Sequence, residues 1–152
     1  MRTEVGMSMH YQQPSRIERS ANTLMRWLAE LGIGIAGTRA LRVRGRKTGT
    51  PRGVVVNLLT VDGTDYVISP RGDTQWARNV RAAGVVELGS RWHRESRAIS
   101  EVADDVKPAI LRRYLARWYW QVKAYVGGLT PESDDADYRA AAPRIPVFAL
   151  AK

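Results

Sequence analysis

The sequence contains no cysteine, and its 152 residues include only two histidines, His10 and His93, which are far apart. Without cysteine the chain cannot form disulfide bonds, thiolate zinc sites, iron–sulfur clusters or cysteine nucleophiles. Two isolated histidines leave little material for a histidine-rich metal site, or for a serine triad, which needs a histidine base. We therefore expect no metal site.

Long apolar stretches are missing as well. No uncharged apolar run reaches the roughly 18 residues that a membrane-spanning helix needs, and the first residues lack the features of a secretory signal. We therefore expect a cytoplasmic protein. The composition, 44% hydrophobic and 26% charged, is typical of a globular chain, and the length suits one domain over residues 15–152 after a flexible segment 1–14.

Basic residues are abundant, with 24 Lys and Arg against 15 Asp and Glu, so that the formal net charge is +9. The stretch 39–52 contains no acid and carries six of the cations: Arg39, Arg42, Arg44, Arg46, Lys47 and Arg52. Such a concentration indicates an anionic partner. A solvated strand face is the alternative interpretation, and the sequence leaves it open.

The N-terminal third predicts one helix. Ser15 and Glu18 form a capping box, and apolar residues at helical spacing follow from about Arg16 to Leu31. We expect this helix to pack on its own domain. Its basic and tryptophan side chains are also compatible with weak contact with a membrane surface.

Beyond Gly37 the apolar residues follow the period of two that β-strands show. Strands are predicted at 41–44, 54–61, 66–69, 85–88, 92–102 and 144–150. Pro146 restricts the last strand to an edge or places the proline at its start.

Two further helices are predicted between the strands. Asp73 can cap a short helix, and Asp104 or Asp105 can cap a long helix that reaches Val126 and carries a core-facing aromatic stripe with Tyr114 and Trp118. Residues 130–138 are predicted as an acidic loop. The sum is a small antiparallel α+β barrel with three helices.

The turn 45–52 is the first candidate site. It places Arg46, Lys47, Thr48 and Arg52 around glycines, where backbone amides and guanidinium groups can converge on a phosphate or carboxylate. It is not a Walker loop, because no glycine directly precedes the lysine and a valine-rich strand follows. A solvated hairpin tip remains the alternative.

The second candidate site follows the predicted strand that ends at Ser69. A glycine turn with Arg71 and Gly72 leads into the N-terminus of a helix, whose positive end favours an anionic group. Trp76 and Asn79 lie one turn apart on that helix. Each has a simpler explanation, the tryptophan as core and the asparagine as a cap.

Taken in order, the motifs resemble those of the deazaflavin-dependent nitroreductase family. The matching segments are 41–52, the Asp62-Gly63 hairpin, Ser69-x-x-Gly72, Trp76-x-x-Asn79 and Arg144-Ile-Pro-Val147. The resemblance implies a split β-barrel of the FMN-binding, pyridoxamine-phosphate-oxidase-like type. It also implies coenzyme F420, hydride transfer to a conjugated small molecule such as an enone, quinone or nitro compound, and a homodimer.

The resemblance also assigns roles. It implies that Arg46, Lys47, Thr48 and Arg52 hold the coenzyme's phosphate and oligoglutamate tail, and that Val54, Val55 and Val56 run along its ring. Ser69, Arg71, Gly72, Trp76 and Asn79 are implied beside the ring and phosphate, and Tyr119, Tyr125 and Tyr138 are candidates on the substrate side. The chain departs from the family in a shorter loop before Trp76 and in the lack of a proline there.

Other functions remain open at this point. A protein of the same fold could bind FMN or haem, and a catalytically silent carrier could store the deazaflavin. A nucleic-acid-binding module would account for the charge. We favour it least, because the basic cluster coincides with a glycine turn rather than with aromatic stacking positions on a sheet face.

Overall fold

The computed structural model describes residues 38–89 and 93–152. The predicted helix 16–31 and the predicted flexible segment 1–14 lie outside the described residues. So does the predicted start of the strand 92–102.

Six antiparallel strands close into a barrel, which confirms the predicted α+β barrel. Around the barrel the strand order is β1-β2-β3-β6-β5-β4. The strands are β1 (Thr38–Arg44), β2 (Pro51–Val61), β3 (Thr64–Ile68), β4 (Val85–Gly89), β5 (Arg94–Glu101) and β6 (Val147–Leu150). Pro146 directly precedes β6, which pairs with a neighbour on each side, so the proline stands at the strand start as predicted.

Three α-helices lie among the described residues: α1 (Gln75–Ala83), α2 (Lys107–Val122) and α3 (Asp135–Ala141). Helix α1 interrupts the strand meander between β3 and β4, as predicted. Helices α2 and α3 connect β5 to β6, and short 3₁₀ turns precede α2 and follow α3.

The predicted helix caps need correction. Thr74, not Asp73, caps α1, and its hydroxyl accepts from the Ala77 amide at 3.3 Å. Neither Asp104 nor Asp105 caps α2, because both lie in the 3₁₀ turn before it. Asp104 instead forms a 2.7 Å ion pair with Lys107.

Helix α2 also ends earlier than predicted, at Val122 rather than Val126. Trp118 departs from helical geometry (φ −124°, ψ 16°), and the chain then continues in turns through Gly127 and Gly128, both at positive φ. These left-handed glycines lie in the turns beyond the helix and do not cap it, since the residue after Val122, Lys123, is still right-handed.

The acidic loop predicted at 130–138 is wrong in its second half. Residues 135–141 form helix α3, and Asp134 caps it by accepting from the Asp137 amide at 2.9 Å. Tyr138 and Ala141 are buried on the inner face of this helix. The aspartates therefore start a helix, where carboxylates compensate free amides and the helix dipole.

Two apolar clusters account for the packing. One fills the barrel interior and includes Leu41, Val67 and Phe148. The other packs α2 and α3 against the barrel and includes Leu115 and Trp118. The prediction that Tyr114 and Trp118 belong to the core is confirmed, since they are 3% and 1% exposed.

Strand pairing brings an acidic residue next to the basic stretch 39–52. In the β1–β4 register Arg42 lies opposite Glu87, which also pairs with Arg94 at 3.8 Å. The stretch that lacks acids in sequence therefore meets one in space. The cations that lie outside this pairing are those of the turn and of the start of β2, together with Arg39 and Arg44 of β1.

Candidate functional site

The structure has a cleft of about 450 Å³ between the barrel and two helices. Strand β2, the end of β3 and the loop after it, the start of α1 and the second half of α2 form its walls. Its lining includes the predicted residues Arg52, Val54, Val55, Val56, Ser69, Arg71, Trp76, Asn79 and Tyr125. The volume falls within the range of small-molecule and cofactor pockets.

The turn between β1 and β2 is held by its own backbone. The Gly45 amide donates to the Thr50 carbonyl and the Gly49 amide donates to the Gly45 carbonyl, both at 2.9 Å, while Gly49 takes a φ of +71°. The Thr50 amide donates to the Thr48 hydroxyl at 3.2 Å. These amides are therefore engaged inside the turn, so they do not converge on an anion as the sequence predicted.

Asn79 ties the turn to helix α1. Its Oδ1 accepts from the Arg46 amide at 3.1 Å and from the Arg46 guanidinium at 2.8 Å, although the two residues are 33 positions apart. Asn79 is only 4% exposed and lines the cleft. Arg46 is consequently tied to a residue of the cleft wall but does not itself line the cleft. Lys47 and Thr48 do not line it either and project as exposed side chains.

The loop after β3 is organised by a buried hydroxyl. Ser69 is fully buried, and its Oγ donates to the Gly72 carbonyl at 2.6 Å and lies 3.0 Å from the Thr74 hydroxyl. Gly72 has a φ of +98°, which favours glycine. Ser69 and Gly72 thus shape the loop that presents Arg71.

Trp76 contributes to both the core and the cleft. The half-buried ring lies 5.9 Å from Phe148 of the barrel interior at an interplanar angle of 52°, and it also lines the cleft. The two interpretations of this tryptophan, core residue and ligand contact, are therefore compatible.

Asp73 anchors the outer side of α1. Its carboxylate accepts from Arg78 at 2.9 Å and also pairs with Arg81. Burial acts to raise the pKa of Asp73, but the hydrogen bonds and charges of Arg81 and Arg78 outweigh it, so the pKa lies below its ordinary value. The carboxylate stays ionised and holds α1 in register with the loop.

Tyr125 is the candidate tyrosine that the structure brings to the cleft. Its hydroxyl accepts from the Arg71 guanidinium at 2.7 Å, and the same guanidinium lies 3.9 Å from the centroid of its ring. A phenol and a cation that both line the cleft can contact an oxygen atom of a ligand.

The other two candidate tyrosines lie elsewhere. Tyr138 is fully buried between α2 and α3, and its hydroxyl donates to the Thr130 carbonyl at 2.8 Å. Burial raises the pKa of Tyr138, so its phenol stays protonated. Tyr119 packs partly buried against the helical cluster. Neither residue lines the cleft.

Sequence reasoning missed Asn57, Tyr114 and Gln121 as cleft residues. The Asn57 amide donates to the Gln121 carbonyl oxygen at 2.9 Å, and the Asn57 side chain is also hydrogen-bonded to the Tyr114 hydroxyl. Burial raises the pKa of Tyr114 despite this bond, so its phenol remains neutral. No local signal joins these residues, because they are up to 64 positions apart.

The described part of the chain contains neither a cluster of metal ligands nor a membrane-spanning helix. No three histidine, aspartate or glutamate side chains in residues 38–89 and 93–152 are grouped so that they could hold a metal ion. Within the same ranges, no helix has the length and apolarity needed to cross a membrane.

No family model and no curated protein matches the chain. Solved structures do resemble it. A structure described as a domain-swapped dimer is 16% identical over 89% of this chain and 96% of that one, with a TM-score of 0.54. A putative pyridoxamine 5′-phosphate oxidase from Listeria innocua is 14% identical over 76% and 82% of the two chains, with a TM-score of 0.51.

Similar structures also include an F420-H2 dependent reductase, which is 21% identical over 76% of this chain and 94% of that one, with a TM-score of 0.44. At 14% identity the likeness to the putative oxidase concerns the fold. It confirms the predicted fold: the chain is a split β-barrel of the pyridoxamine-phosphate-oxidase-like type.

Proposed function

We propose that the protein is an F420-dependent oxidoreductase that transfers a hydride from the reduced deazaflavin to a conjugated small-molecule acceptor. The observation that carries the proposal is the bond between Arg46 and Asn79, which ties a cationic turn to the wall of a cleft that valines of β2 partly line. A long anionic tail and a flat ring need these two surfaces side by side.

The cationic side suits the tail of the coenzyme. Arg46 is bonded to the cleft residue Asn79, Arg52 lines the cleft, and Lys47 is exposed between them in sequence. Guanidinium groups bind carboxylates and phosphates with two parallel hydrogen bonds. Several cations in series match a phosphate followed by an oligoglutamate chain better than they match a single phosphate.

The apolar side suits the ring. Val54, Val55 and Val56 of β2 all line the cleft, although Val54 and Val56 also pack in the barrel core and Val55 faces the other side of the strand, and Trp76 closes the cleft from helix α1. The reduced deazaflavin would supply the hydride, while these side chains would exclude water and leave one ring face open to the acceptor. Ser69 and Gly72 would act by shaping the loop that carries Arg71.

Reduction of the acceptor also requires a proton. Among the candidate tyrosines, Tyr125 has a hydroxyl in the cleft, 2.7 Å from Arg71. It is the proposed donor, with water as the alternative. Tyr119 and Tyr138 are disfavoured by their positions away from the cleft.

We propose a homodimer located in the cytoplasm. The description of a similar structure as a domain-swapped dimer supports the assembly. In this chain Trp120 on α2 is 68% exposed, as an interface residue of a single protomer would be. Contact of the N-terminal segment with a membrane surface is a further proposal, tested by flotation with vesicles.

FMN is the alternative cofactor, because the likeness to the putative oxidase from Listeria innocua shows the same fold. Haem is less favoured, since His93 is the one histidine among the described residues and does not line the cleft. Binding of nucleic acid is the least favoured alternative, because the Arg46 guanidinium of the basic turn is bonded to the cleft residue Asn79.

A parallel titration tests the proposal. The purified protein is titrated with F420 and with FMN, and binding is followed by the fluorescence of each pigment. We expect micromolar or tighter binding of F420, much weaker binding of FMN, and oxidation of reduced F420 on addition of a quinone. Preferential binding of FMN would favour the alternative, and binding of neither pigment would contradict both.

A further inference from the structure

The cleft has a polar end that the cationic turn does not explain. Arg52 and Asn57 both line it and are five residues apart on β2, which corresponds to about 17 Å of extended chain. The tail-binding cations belong to the Arg52 end. At the Asn57 end the cleft is lined by Tyr114 and Gln121 of helix α2.

Asn57 fixes the orientation of the Gln121 side chain. The Asn57 Nδ2 donates to the Gln121 Oε1 at 2.9 Å, and the hydrogen bond between Asn57 and the buried Tyr114 holds the asparagine in place. Because the Gln121 carbonyl oxygen is engaged by Asn57, the opposite corner of its amide, the Nε2 with two hydrogens, is turned away from Asn57. Gln121 is half-buried and lines the cleft, so it offers the ligand a donor.

We propose that Gln121, oriented by Asn57, recognises the acceptor by donating a hydrogen bond to its carbonyl or nitro oxygen. This inference rests on the proposed function and narrows the acceptor to molecules that carry such an oxygen in conjugation with the reacting carbon. Asn57 and Tyr114 are positioning residues, whereas Gln121 contacts the substrate.

A hydrogen bond from Gln121 to the acceptor oxygen would favour the reaction, because negative charge develops on that oxygen. When a hydride adds to the carbon conjugated with a carbonyl, the electron pair of the double bond moves to the carbonyl oxygen, which gains negative charge and then a proton from Tyr125 or water. Bound reduced deazaflavin would supply the hydride, two electrons and a proton, and with the second proton the acceptor would gain two hydrogens in all. A donor already aimed at that oxygen binds the charged oxygen more strongly than the neutral one.

The test compares two acceptors and two variants. Menadione, a quinone, has carbonyl oxygens, whereas methylene blue accepts two electrons and contains no oxygen. Gln121→Met keeps the length of the side chain and removes the amide. Gln75→Met makes the same change on helix α1, where Gln75 also lines the cleft.

We expect Gln121→Met to lower kcat/KM for menadione about three- to tenfold, the size of one neutral hydrogen bond, and to leave kcat/KM for methylene blue and the Kd for F420 unchanged. Gln75→Met should not alter the preference between the two acceptors. An unchanged preference in Gln121→Met, or the same change in both variants, would overturn the inference.

A second measurement does not need the coenzyme. The side-chain NH₂ resonances of Gln121 are assigned by their loss in Gln121→Met, and the apo protein is titrated with menadione. We expect these resonances to shift downfield. If the protein does not bind F420, the proposed function fails and this titration alone decides the inference; resonances that stay fixed at saturating menadione contradict it.

Discussion

The Asn79 side-chain oxygen accepts two hydrogen bonds from Arg46, one from the backbone amide at 3.1 Å and one from the guanidinium at 2.8 Å. This pair joins the tip of a β-hairpin to a helix that starts after the third strand. Alanine at position 79 would leave the Arg46 amide without its partner. Because Asn79 is nearly fully buried, water does not readily replace the lost hydrogen bond.

We expect Asn79→Ala to lower the free energy of unfolding by about 1–3 kcal/mol and to weaken binding of F420 by releasing the turn. Asn79→Gln keeps an accepting amide oxygen without adding charge and is the matched control for binding. Urea denaturation and F420 titration measure the two effects. Wild-type affinity in Asn79→Ala would separate the turn from the coenzyme site.

Two of the candidate tyrosines, Tyr125 and Tyr138, should respond differently to loss of the hydroxyl. Tyr138→Phe removes the bond to the Thr130 carbonyl, at a cost of about 1 kcal/mol, and should leave hydride transfer unchanged. Tyr125→Phe removes a hydroxyl from the cleft and should lower kcat with little loss of stability. Steady-state kinetics and thermal melts compare the variants. The reverse pattern would assign the proton to Tyr138.

The stability of the protein should depend on pH through Asp73. Its folded-state pKa lies below the ordinary value of 3.8, because ion pairs with Arg78 and Arg81 outweigh burial. The ionised group therefore stabilises the fold above pH 4, and this stabilisation is lost as the pH falls from about 4 through the folded-state pKa. Asp65, whose pKa is also lowered, acts in the same direction.

Denaturation midpoints at pH 6 and pH 3 measure this contribution. Asp73→Asn should be less stable than the wild type at pH 6, and the difference should shrink at pH 3, because the carboxyl of the unfolded chain is largely protonated below its ordinary pKa of 3.8. A difference that is the same at both pH values would show that the Asp73 charge does not stabilise the fold.

Substitution of Trp76 should affect both the stability of the fold and the binding of F420. Because its ring is half-buried against Phe148, we expect Trp76→Ala to cost less than the roughly 3–5 kcal/mol of a fully buried tryptophan and to weaken binding of F420. Trp76→Phe should restore most of the stability and part of the affinity. Thermal melts and F420 titration distinguish the effects. Loss of stability alone would make Trp76 a core residue only.

Local patterns predicted most of the barrel. The alternation at Leu41 to Arg44, the Asp62-Gly63 turn and the proline before β6 depend on neighbouring residues, and each has its predicted place. The helix α3, which the sequence analysis takes for part of a loop, also has a local signal. Asp134 caps it by accepting from the amide of Asp137, three positions later.

The candidate site was predicted less completely. The basic turn, the valine strand and Trp76 stand out in sequence, and the structure places Arg52, the valines and Trp76 around one cleft. The group of Asn57, Tyr114 and Gln121 could not be found, because an asparagine on a strand and a glutamine on a helix meet through tertiary packing alone. The proposed role of Gln121 as a donor depends on this tertiary contact with Asn57.

The most direct test of the central claim is the salt dependence of F420 binding in the triple variant Arg46→Ala, Lys47→Ala, Arg52→Ala. Exposed charges are screened by salt, so the wild-type Kd should rise steeply between 50 and 500 mM NaCl, on the order of tenfold or more. The triple variant should bind at least about tenfold more weakly at low salt, where one factor of ten is roughly 1.4 kcal/mol, and should lose most of the salt dependence. Arg139→Ala, on the exposed side of α3, is the control and should match the wild type. Equal affinity and equal salt dependence in the wild type and the triple variant would contradict the account.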